Sequence, residues 1–523
     1  MMLAFVPFLY AETHYRLPFL FNLLFKKEPE IIADLPFRIT QNRKLPVLLL
    51  IKDAHRFPVK LLSVKIFIDA EQVLEKKLDC FVREKFKEWI FEVDVSDFTT
   101  GWHEIQVKIT YQTNGRPKIC FADNYRSTSH APFRCFFAGQ SLPQKENFYA
   151  GDLHAHSIFT DDQIEFGASL KTMKHMARAV ELDFFCVTDH SYDLDDHPDN
   201  YLQNDPQFPK WHNFLEQVGR LNRNGSNPLI IPGEEVSVRN EKNQTVHMLI
   251  LNNPRLIPGS GDSGERWLKN KSEFSIRQVL QKLNNSSLVL PAHPAQHVPL
   301  AQRLFINRGP WRKKDLLKNN FHGLQFINGG DAPTIQKAIK LWTSLLLKGR
   351  AVFPAAGNDA HGHFNRVREM ALPFVNMREH QAHIFGRWRT VIYCVQKPQT
   401  AEQVLHCFQL GRLFVTNGPF IELIAFNKGQ AVYMGQKTSQ IDSLEIEILS
   451  NQETGFIEVL QVIGGYCSQK KERILWQKEF GGEALFRFSE KISLPFTTLP
   501  DYIRAQVKTE SGMGLTNFIW IDH

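Results

Sequence analysis

Between Phe148 and about residue 420, short apolar runs alternate with segments of helical period, and this alternation is the strongest constraint on the fold. The apolar runs include LDFFCV, PLIIPGEEV, SLVLP and AVFPAAG, and each has the length of a buried strand. The segments between them, such as SLKTMKHMARAVEL and TIQKAIKLWTSLLLKG, place apolar residues on one face of a helix. Buried strands followed by amphipathic helices predict a parallel α/β sheet or barrel, in which an active site forms at the carboxyl ends of the strands.

The two flanks of this region have a different pattern, because apolar and polar residues alternate with period two. LLSVKIFID and GWHEIQVKITY lie on the N-terminal side, and SLEIEILSN and FIEVLQVIGG lie on the C-terminal side. Such runs, separated by turn signals, predict antiparallel β-sandwiches. We therefore expect a multidomain α/β plus all-β protein with three units: an apolar arm and β-sandwich over residues 1–145, an α/β unit over residues 148–420, and a second β-sandwich over residues 421–523.

Charge helps to define the class of partner. The chain has 523 residues, of which 62 are Lys or Arg and 55 are Asp or Glu, so the formal net charge is +7. This excess is mild and is not concentrated in a long basic run, so it does not favour nucleic acid as a partner, although it does not exclude one. With 43% hydrophobic and 22% charged residues, the composition is that of a globular protein and excludes a largely disordered or collagen-like chain.

The cysteines and the first residues bear on location. The 7 cysteines are scattered without a CxxC pair, a pattern typical of reduced thiols and therefore of a cytoplasmic protein. The N-terminal segment is apolar, but Glu12, His14 and Arg16 interrupt it before the ~18 residues that a membrane span requires, so we expect no transmembrane segment. The segment also lacks the basic residues that begin a signal peptide. We interpret it as an arm packed on the first unit, and export by a weak signal stays open as an alternative.

Histidine and carboxylate residues recur where the apolar runs of the middle region end. His154 and His156 are two apart in GDLHAHS, so on a strand both side chains point from the same face. Asp359 and His361 repeat this spacing in NDAHG. Other strand ends supply Asp161, Asp162, Asp189, His190, Glu234, Glu235, His247 and His293. An isolated HxH pair is equally compatible with a structural role, but the whole set consists of ligand types that suit Zn, Mn or Fe, and none is a cysteine. We predict that these side chains converge on a shared metal site.

The runs GDLHAHS, TDH, GEE, LPAHP and NDAHG, in this order, resemble the motifs of the PHP (polymerase and histidinol phosphatase) family of metal-dependent hydrolases. The VTNGPF run, which comes after a helix that ends in GR, resembles the CehA/McbA-type branch of that family. The resemblance covers residues 148–420. It implies a distorted (β/α)7 barrel that holds two or three divalent ions, which could be Mn, Zn or Fe. The flanking β-sandwiches lie outside it.

The resemblance also implies a role for each member of the set. The implied metal ligands are His154, His156 and Asp359 for the first ion, His247 and His293 for the second, and Asp161, His190 and His361 for the third. Glu235 would bridge the first and second ions. Asp162 is a rival of Asp161, because the family has one acid at that place. The implied catalytic residues are Glu235, Asp359 and His361.

The predicted activity is hydrolysis by a metal-bridged hydroxide. Three divalent ions outweigh the charge of three carboxylates and one hydroxide, and the remaining positive charge suits a phosphate dianion. We therefore expect a phosphoesterase, either a phosphatase or a phosphodiesterase, that acts on a small molecule. One alternative keeps the metals but hydrolyses a carbamate, an amide or a carboxyl ester. Another alternative is a non-catalytic binding or scaffold protein whose sandwiches recognise its partner.

Three arginines follow ligand-bearing strand ends and are candidate substrate-binding residues, namely Arg239, Arg366 and Arg368. A guanidinium can bind a phosphate or a carboxylate through two parallel hydrogen bonds. The alternative is that they are ordinary solvated arginines. Asp152 and Asp189, which lie beside ligands in the sequence, could have either a structural role or a role in supporting those ligands.

Overall fold

The computed structural model describes residues 28–125, 130–160, 167–198, 200–223, 227–259, 271–284, 286–298, 300–330, 332–366, 369–372, 375–378, 383–493 and 499–522. Strands predominate over helices in these residues and form several sheets. The described strands are β1 (Glu30–Asp34), β2 (Arg38–Thr40), β3 (Leu45–Lys52), β4 (Val59–Ile68), β5 (Glu71–Val82), β6 (Phe86–Val93), β7 (Gly101–Thr113), β8 (Arg116–Phe121), β9 (Phe133–Ala138), β10 (Phe148–Asp152), β11 (Ala155–His156), β12 (Phe184–Val187), β13 (Asp196–His197), β14 (Asn200–Asn204), β15 (Leu229–Arg239), β16 (Thr245–Leu251), β17 (Leu288–Pro291), β18 (Gly323–Asn328), β19 (Phe353–Gly357), β20 (Ala360–His361), β21 (Glu369–Leu372), β22 (Val375–Arg378), β23 (Arg389–Tyr393), β24 (Leu413–Thr416), β25 (Phe420–Asn427), β26 (Gln430–Tyr433), β27 (Lys437–Thr438), β28 (Ser443–Leu449), β29 (Ile457–Tyr466), β30 (Lys471–Glu479), β31 (Arg487–Ile492), β32 (Tyr502–Thr509), β33 (Met513–Thr516) and β34 (Ile519–Ile521). The described helices are α1 (Leu170–Ala179), α2 (Ser191–Leu194), α3 (Pro209–Asn222), α4 (Ile276–Leu280), α5 (Leu300–Phe305), α6 (Lys313–Lys318), α7 (Ala332–Leu346) and α8 (Ala401–Leu410).

The N-terminal region forms two sheets that share one core. One sheet has the order β1-β3-β6, and the other has the order β2-β9-β7-β4-β5 with β8 beside β7. Strand β3 shows why the run LPVLLLI is continuously apolar. Val47 and Leu49 pack in the core between the two sheets, whereas Leu48 and Leu50 pack in the core around helix α1. This arrangement is β-sandwich-like, as the N-terminal flank predicts.

The middle region is built around a sheet with the order β17-β16-β15-β12-β10-β23-β24. Strands β10, β12 and β15 are parallel, and the segments that join them contain α1 and α3. Strand β16 is antiparallel to both β15 and β17, because residues 240–244 are too few for the crossover that a parallel pair needs. The architecture is therefore β-rich and multi-sheet, and seven β/α units in a barrel are not evident in the described residues.

Two short parallel pairs lie beside this sheet, β11 with β20 and β18 with β19. A parallel bridge joins Ala292, which follows β17, to Gln325 of β18. The Leu153 N–H donates to the Ala356 carbonyl at 3.4 Å, which joins the end of β10 to β19. These links bring the carboxyl ends of β10, β17, β18 and β19 close together.

The C-terminal region also consists of two packed sheets. One has the order β26-β25-β28-β31, and the other consists of β24-β33-β32-β29-β30. Leu423 and Ile446 of the first sheet share a core with Leu460 and Ile503 of the second. The predicted β-sandwich-like packing is present, but its second sheet continues the sheet of the middle region, since β33 pairs with β24.

A buried ion cluster joins the three regions. Arg38 of β2 is fully buried, and its Nη1 lies 2.9 Å from Glu181 Oε2, just after α1. Its Nε lies 2.9 Å from the Glu453 carboxylate, between β28 and β29. Both glutamate side chains are only 11% exposed. A buried guanidinium needs such compensation, so this cluster fixes the three regions against each other.

The cysteines differ from the expectation in one pair. Cys394, directly after β23, and Cys407 of α8 form a disulfide, whereas the cysteines at 80, 120, 135, 186 and 467 are free. The expectation that all cysteines are reduced is therefore wrong for this pair. The cytoplasmic location, which rested on that expectation, stays a prediction. Among the described residues, no helix combines the length and the apolar character needed to span a membrane.

Replacing Arg38 by methionine should lower the free energy of unfolding by about 3–5 kcal/mol, because two buried carboxylates would lose their compensating charge. Urea unfolding followed by tryptophan fluorescence measures the loss. Lys87→Met is the control, since Lys87 and Glu84 form an exposed ion pair that contributes less than about 1 kcal/mol. Equal losses in the two variants would contradict the role given to Arg38.

Candidate metal centre

Eight of the nine predicted metal ligands lie together in the interior of the middle region. Each of the eight is at most 5% exposed. They are His154 after β10, His156 of β11, His190 after β12, Glu235 of β15, His247 of β16, His293 after β17, Asp359 after β19 and His361 of β20. The ninth, Asp161, and its rival Asp162 lie outside the described residues. The strand ends named in the sequence therefore converge on one place.

The period of the strands explains why these side chains face inward. Along β15, Leu229 and Ile231 belong to an apolar core inside the region, and Glu235 lies an even number of residues further on. Along β16, Leu251 and Leu249 belong to the same core and His247 follows at the same spacing. Residues two apart on a strand share a face. The candidate ligands are thus the polar continuation of an apolar layer, and α8 packs against the same layer.

Glu235 is the centre of the cluster. Its Oε1 lies 2.8 Å from His247 Nδ1 and 3.0 Å from His293 Nε2. Its Oε2 lies 3.1 Å from His190 Nδ1 and 3.5 Å from the Nε2 atoms of both His154 and His156. The two carboxylate oxygens therefore face different sets of histidines, as a bridging ligand would.

Asp359 faces the HxH pair. Its Oδ1 lies 3.1 Å from His156 Nε2 and 3.2 Å from His154 Nε2. The two Nε2 atoms are themselves 3.1 Å apart. Two imidazole nitrogens and a carboxylate oxygen at these mutual distances form a donor set with nitrogen and oxygen only, which fits Zn, Mn or Fe.

Three groups of these side chains are close enough to hold metal ions, since one ligand atom per residue lies within 4.8 Å of the others: His154, His156, Glu235 and Asp359; His190, Glu235 and His247; and His156, His190 and His361. The first group joins the three ligands predicted for the first ion to the predicted bridge. The second group joins the predicted bridge to His247 and His190. The third group contains His190 and His361, both predicted for the third ion, together with His156. His293 contacts Glu235 but belongs to none of the three groups. The assignment of ligands to individual ions stays a prediction.

The protonation states suit metal binding. Burial alone would raise the pKa of the Glu235 carboxyl, but His247 and His154 hold that pKa well below its usual range. Burial opposes ionisation of Asp359 as well, and His154 and His156 hold its pKa well below the usual value. Burial keeps the pKa of His156 well below its usual value. For His154, burial lowers the pKa, but Asp359 and Glu235 outweigh it and raise the pKa to about 9. Ionised carboxylates and a neutral His156 are the forms that bind metals, and an ion would displace the proton of His154.

Asp152 fastens two ligand-bearing loops. Its carboxylate accepts the His154 N–H at 3.1 Å, the Asn358 N–H at 3.1 Å and the Asn358 side-chain amide at 2.7 Å. It also accepts the Gly386 N–H at 2.9 Å. Because Asn358 precedes Asp359, one buried carboxylate fixes the backbone on both sides of the first group.

Asp189 supports the loop after His156. Its carboxylate accepts the backbone N–H groups of Ser157 at 2.7 Å and Thr160 at 3.0 Å, and the Thr160 hydroxyl at 2.8 Å. The Thr160 hydroxyl lies 3.2 Å from His156 Nδ1. This contact orients the ring so that Nε2 faces Asp359. Asp152 and Asp189 therefore support ligands rather than join them.

Gln325 and Asn328 support the other side of the cluster. Gln325 Oε1 accepts the His293 N–H at 2.7 Å and lies 3.4 Å from His154 Nδ1. Its amide donates to Asn328 Oδ1 at 2.8 Å, and the Asn328 amide donates to Asp359 Oδ2 at 3.1 Å. One amide network thus connects three candidate ligands.

The backbone is strained at two of the ligands. His293 has a φ of 32° and Asp359 has a φ of 54°, a region that costs a residue other than glycine on the order of 1–3 kcal/mol. The Asp359 N–H donates to the His154 carbonyl at 2.8 Å, which helps to hold this conformation. Gly357 permits the close approach, since a Cβ at that position would lie 2.6 Å from His154 Cβ. Such strain is typical of functional sites.

The three arginines predicted to bind substrate lie in different places, and neither of the two that the structure describes is among the candidate metal ligands. Arg239 does not join the cluster, because β15 continues for roughly 13 Å beyond Glu235. Its Nη2 donates to the Glu273 carbonyl at 3.1 Å, and it lines a separate groove of about 830 Å³. Arg366 is buried with its Nε 3.6 Å from Asp34 Oδ2, so it is not a solvated surface arginine. Arg368 lies outside the described residues.

Sequence reasoning missed Arg308. This arginine is 5% exposed, and its Nη2 lies 3.3 Å from His247 Nδ1. It lies in a loop after α5, in the run FINRGP, where no periodic or motif signal marks it. A permanent cation therefore borders the cluster beside a candidate ligand.

Comparisons with known proteins give little beyond this geometry. Neither a protein-family model nor a curated protein matches the chain. Among solved structures, it is similar to an FMN-binding beta-glucuronidase from Facaelibacterium prausnitzii L2-6, with 10% sequence identity, 94% of this chain and 73% of that chain covered, and a TM-score of 0.17. A likeness at this level carries no argument about fold or function.

Glu235→Gln should weaken binding of Mn²⁺ or Zn²⁺ by roughly 100-fold or more, because it removes the charge shared by the histidine groups. Metal content per chain after dialysis, and the rise in thermal midpoint on adding metal, measure the effect. The matched control is Glu234→Gln. Glu234 is an adjacent buried carboxyl that accepts from Ser191 Oγ at 2.8 Å and Ile257 N–H at 3.0 Å, and burial raises its pKa to about 8. Equal metal binding by the two variants would contradict the role of Glu235.

Proposed function

We propose that this protein is a metal-dependent hydrolase of the PHP type and that its preferred substrates are phosphate esters of small molecules. The observation that carries the proposal is the position of Glu235, whose two oxygens lie within 3.5 Å of His154, His190, His247 and His293. Burying so many imidazoles around one carboxylate is costly unless they bind something, and divalent metals are what this donor set prefers. The PHP-like order of the motifs supports the same reading.

We further infer that the strands around the site form the distorted barrel that the PHP resemblance implies. Support comes from the parallel strands β10, β12 and β15, from the bridge between Ala292 and Gln325, and from the parallel pairing of β18 with β19. The hydrogen bond from Leu153 to Ala356 would close the ring between β10 and β19. The antiparallel strand β16 would be the distortion.

The side chains of the cluster would have two kinds of role in such an enzyme: some would bind the ions, and others would orient the ligands. Divalent ions held there would polarise the scissile group and lower the pKa of water toward about 7. Glu235 would be a ligand shared by two ions, because its two oxygens face different sets of histidines. Thr160 and Gln325 would keep the rings of His156 and His154 in the orientation that presents Nε2.

Arg308 supports a phosphate ester over a neutral ester. Its guanidinium is buried and lies 3.3 Å from His247 Nδ1, which in turn lies 2.8 Å from Glu235 Oε1. A buried guanidinium at this place could donate to the oxygens of a phosphate, because guanidinium groups bind phosphates through charge-assisted hydrogen bonds. A phosphate monoester is an anion before the reaction, whereas a carboxyl or carbamate ester carries no charge.

The activity test compares p-nitrophenyl phosphate with p-nitrophenyl acetate, each with Mn²⁺ or Zn²⁺. We expect turnover of the phosphate ester that is lost with EDTA and restored by metal, because the reaction requires the ions. Turnover of the acetate alone would favour the carbamate or carboxyl-ester alternative. Less than one metal equivalent per chain, not restored by reconstitution, would favour the binding or scaffold alternative.

Arg308→Met should lower kcat/KM for p-nitrophenyl phosphate by roughly 10–100-fold, since a hydrogen bond to a charged group contributes about 1.5–3 kcal/mol. Hydrolysis of any neutral ester should change much less. Arg303→Met is the control, because Arg303 lies on the exposed side of α5 five residues earlier. The role of Arg308 would be contradicted if both variants kept wild-type phosphatase activity.

A further inference from the structure

The segment that follows His361 is held by a residue of the N-terminal sheets. Asp34, the last residue of β1, is 1% exposed. Its Oδ2 accepts the Phe364 N–H at 3.0 Å, and its Oδ1 accepts the N–H groups of Asn365 and Arg366 at 3.0 Å each. Three consecutive backbone donors of one loop therefore converge on a single buried carboxylate.

The energetics of this contact indicate a fixed rather than an incidental geometry. A buried carboxylate must be compensated, and hydrogen bonds from backbone N–H groups to a charged acceptor are among the stronger ones. The Arg366 guanidinium adds compensation, with Nε 3.6 Å from Asp34 Oδ2. The Asn365 side-chain amide donates to the Arg134 carbonyl at 2.8 Å, so a second residue of the N-terminal sheets is hydrogen-bonded to the same loop.

The structure around His361 is short: its Nδ1 lies 3.0 Å from the Asp359 carbonyl oxygen, and the His363 carbonyl accepts the Phe385 N–H at 2.9 Å. Strand β20 has only two residues, and its pairing with β11 consists of Ala155 with Ala360 and His156 with His361. The His361 ring stacks on His156 at 4.0 Å between centroids, so a small displacement of the backbone changes the third histidine group. Only residues 362 and 363 lie between His361 and Phe364, the first residue that Asp34 holds. The Cα atoms of His361 and Phe364 can therefore be roughly 10 Å apart at most.

We propose that Asp34 is a positioning residue for His361 and that the N-terminal sheets are thereby a structural part of the metal centre. The inference rests on the proposed function, because it takes His361 as a metal ligand. It assigns to the N-terminal region a task that the sequence pattern of a β-sandwich does not indicate: it supplies the support for one side of the site.

A matched control exists in the same sheets. Glu88 of β6 accepts the Ser169 N–H at 2.9 Å and the Thr172 hydroxyl at 2.8 Å, at the start of α1. Like Asp34, it joins the N-terminal sheets to the middle region through a carboxylate. In the part of the chain that the structure describes, its hydrogen-bond donors are Ser169 and Thr172, and neither is a candidate ligand or a neighbour of one. Glu88→Gln therefore loosens the contact between the regions without loosening the loop after His361.

The experiment compares Asp34→Asn, Asp34→Glu and Glu88→Gln in the full chain, with Mn²⁺ and Zn²⁺ as probes. Thermal unfolding of the metal-free proteins establishes that each variant is folded, and Asp34→Glu keeps the negative charge if Asp34→Asn does not fold. Metal equivalents per chain and affinity in competition with a chelator are the readouts. We expect both Asp34 variants to lose one ion, or to bind it at least 10-fold more weakly, whereas Glu88→Gln binds like the wild type.

Two outcomes overturn different claims. If the wild-type protein binds less than one equivalent of either metal, the proposed function fails. If the wild type binds its ions and the Asp34 variants bind them with the same stoichiometry and affinity, or if Glu88→Gln loses as much as they do, the positioning role of Asp34 fails and the proposed function stands.

Discussion

The structure depends on how one buried carboxylate is compensated. Glu235 lies in the interior of the middle region, where an isolated charge would be very unfavourable, and histidine nitrogens surround both of its oxygens. Those nitrogens come from strand ends far apart in the chain. The fold must therefore bring the strand ends together within hydrogen-bonding distance, and the apolar layer beneath them holds them there.

Loops that carry candidate metal ligands must be fixed as accurately as the side chains themselves, and buried carboxylates hold these loops in this chain. Asp152 fastens the backbone at His154 and Asn358, Asp189 fastens the loop after His156, and Asp34 fastens the loop after His361. Each accepts backbone N–H groups and lies outside the three groups that could hold an ion. The acidic residues near the candidate metal centre thus fall into two groups, candidate ligands and supports of ligand loops, and hydrogen-bond geometry separates them.

Local patterns made much of the site predictable. The spacing of two in GDLHAHS and NDAHG places both side chains of each pair on the same face of a strand. The ends of the apolar runs mark the carboxyl ends of the strands, so the histidines could be placed at one end of the middle region from the sequence. The antiparallel strand β16 follows from the short gap before it, but the resemblance that implied a distorted (β/α)7 barrel did not indicate where the distortion lies. Arg308 and Asp34 could not be found, because their contacts join positions 61 and 330 residues apart without a local signal. Arg239 lies away from the cluster although it is only four residues from Glu235, because an extended strand separates residues that are close in sequence.

Anomalous diffraction at the absorption edge of the bound metal, from crystals grown with Mn²⁺ or Zn²⁺, tests the central claim most directly. The account predicts two or three anomalous peaks inside the cluster, with donor atoms of His154, His156, Glu235, His247 and Asp359 at about 2.0–2.3 Å from the nearest ion. Peaks confined to surface residues, or fully loaded crystals whose cluster contains no anomalous signal, would contradict it.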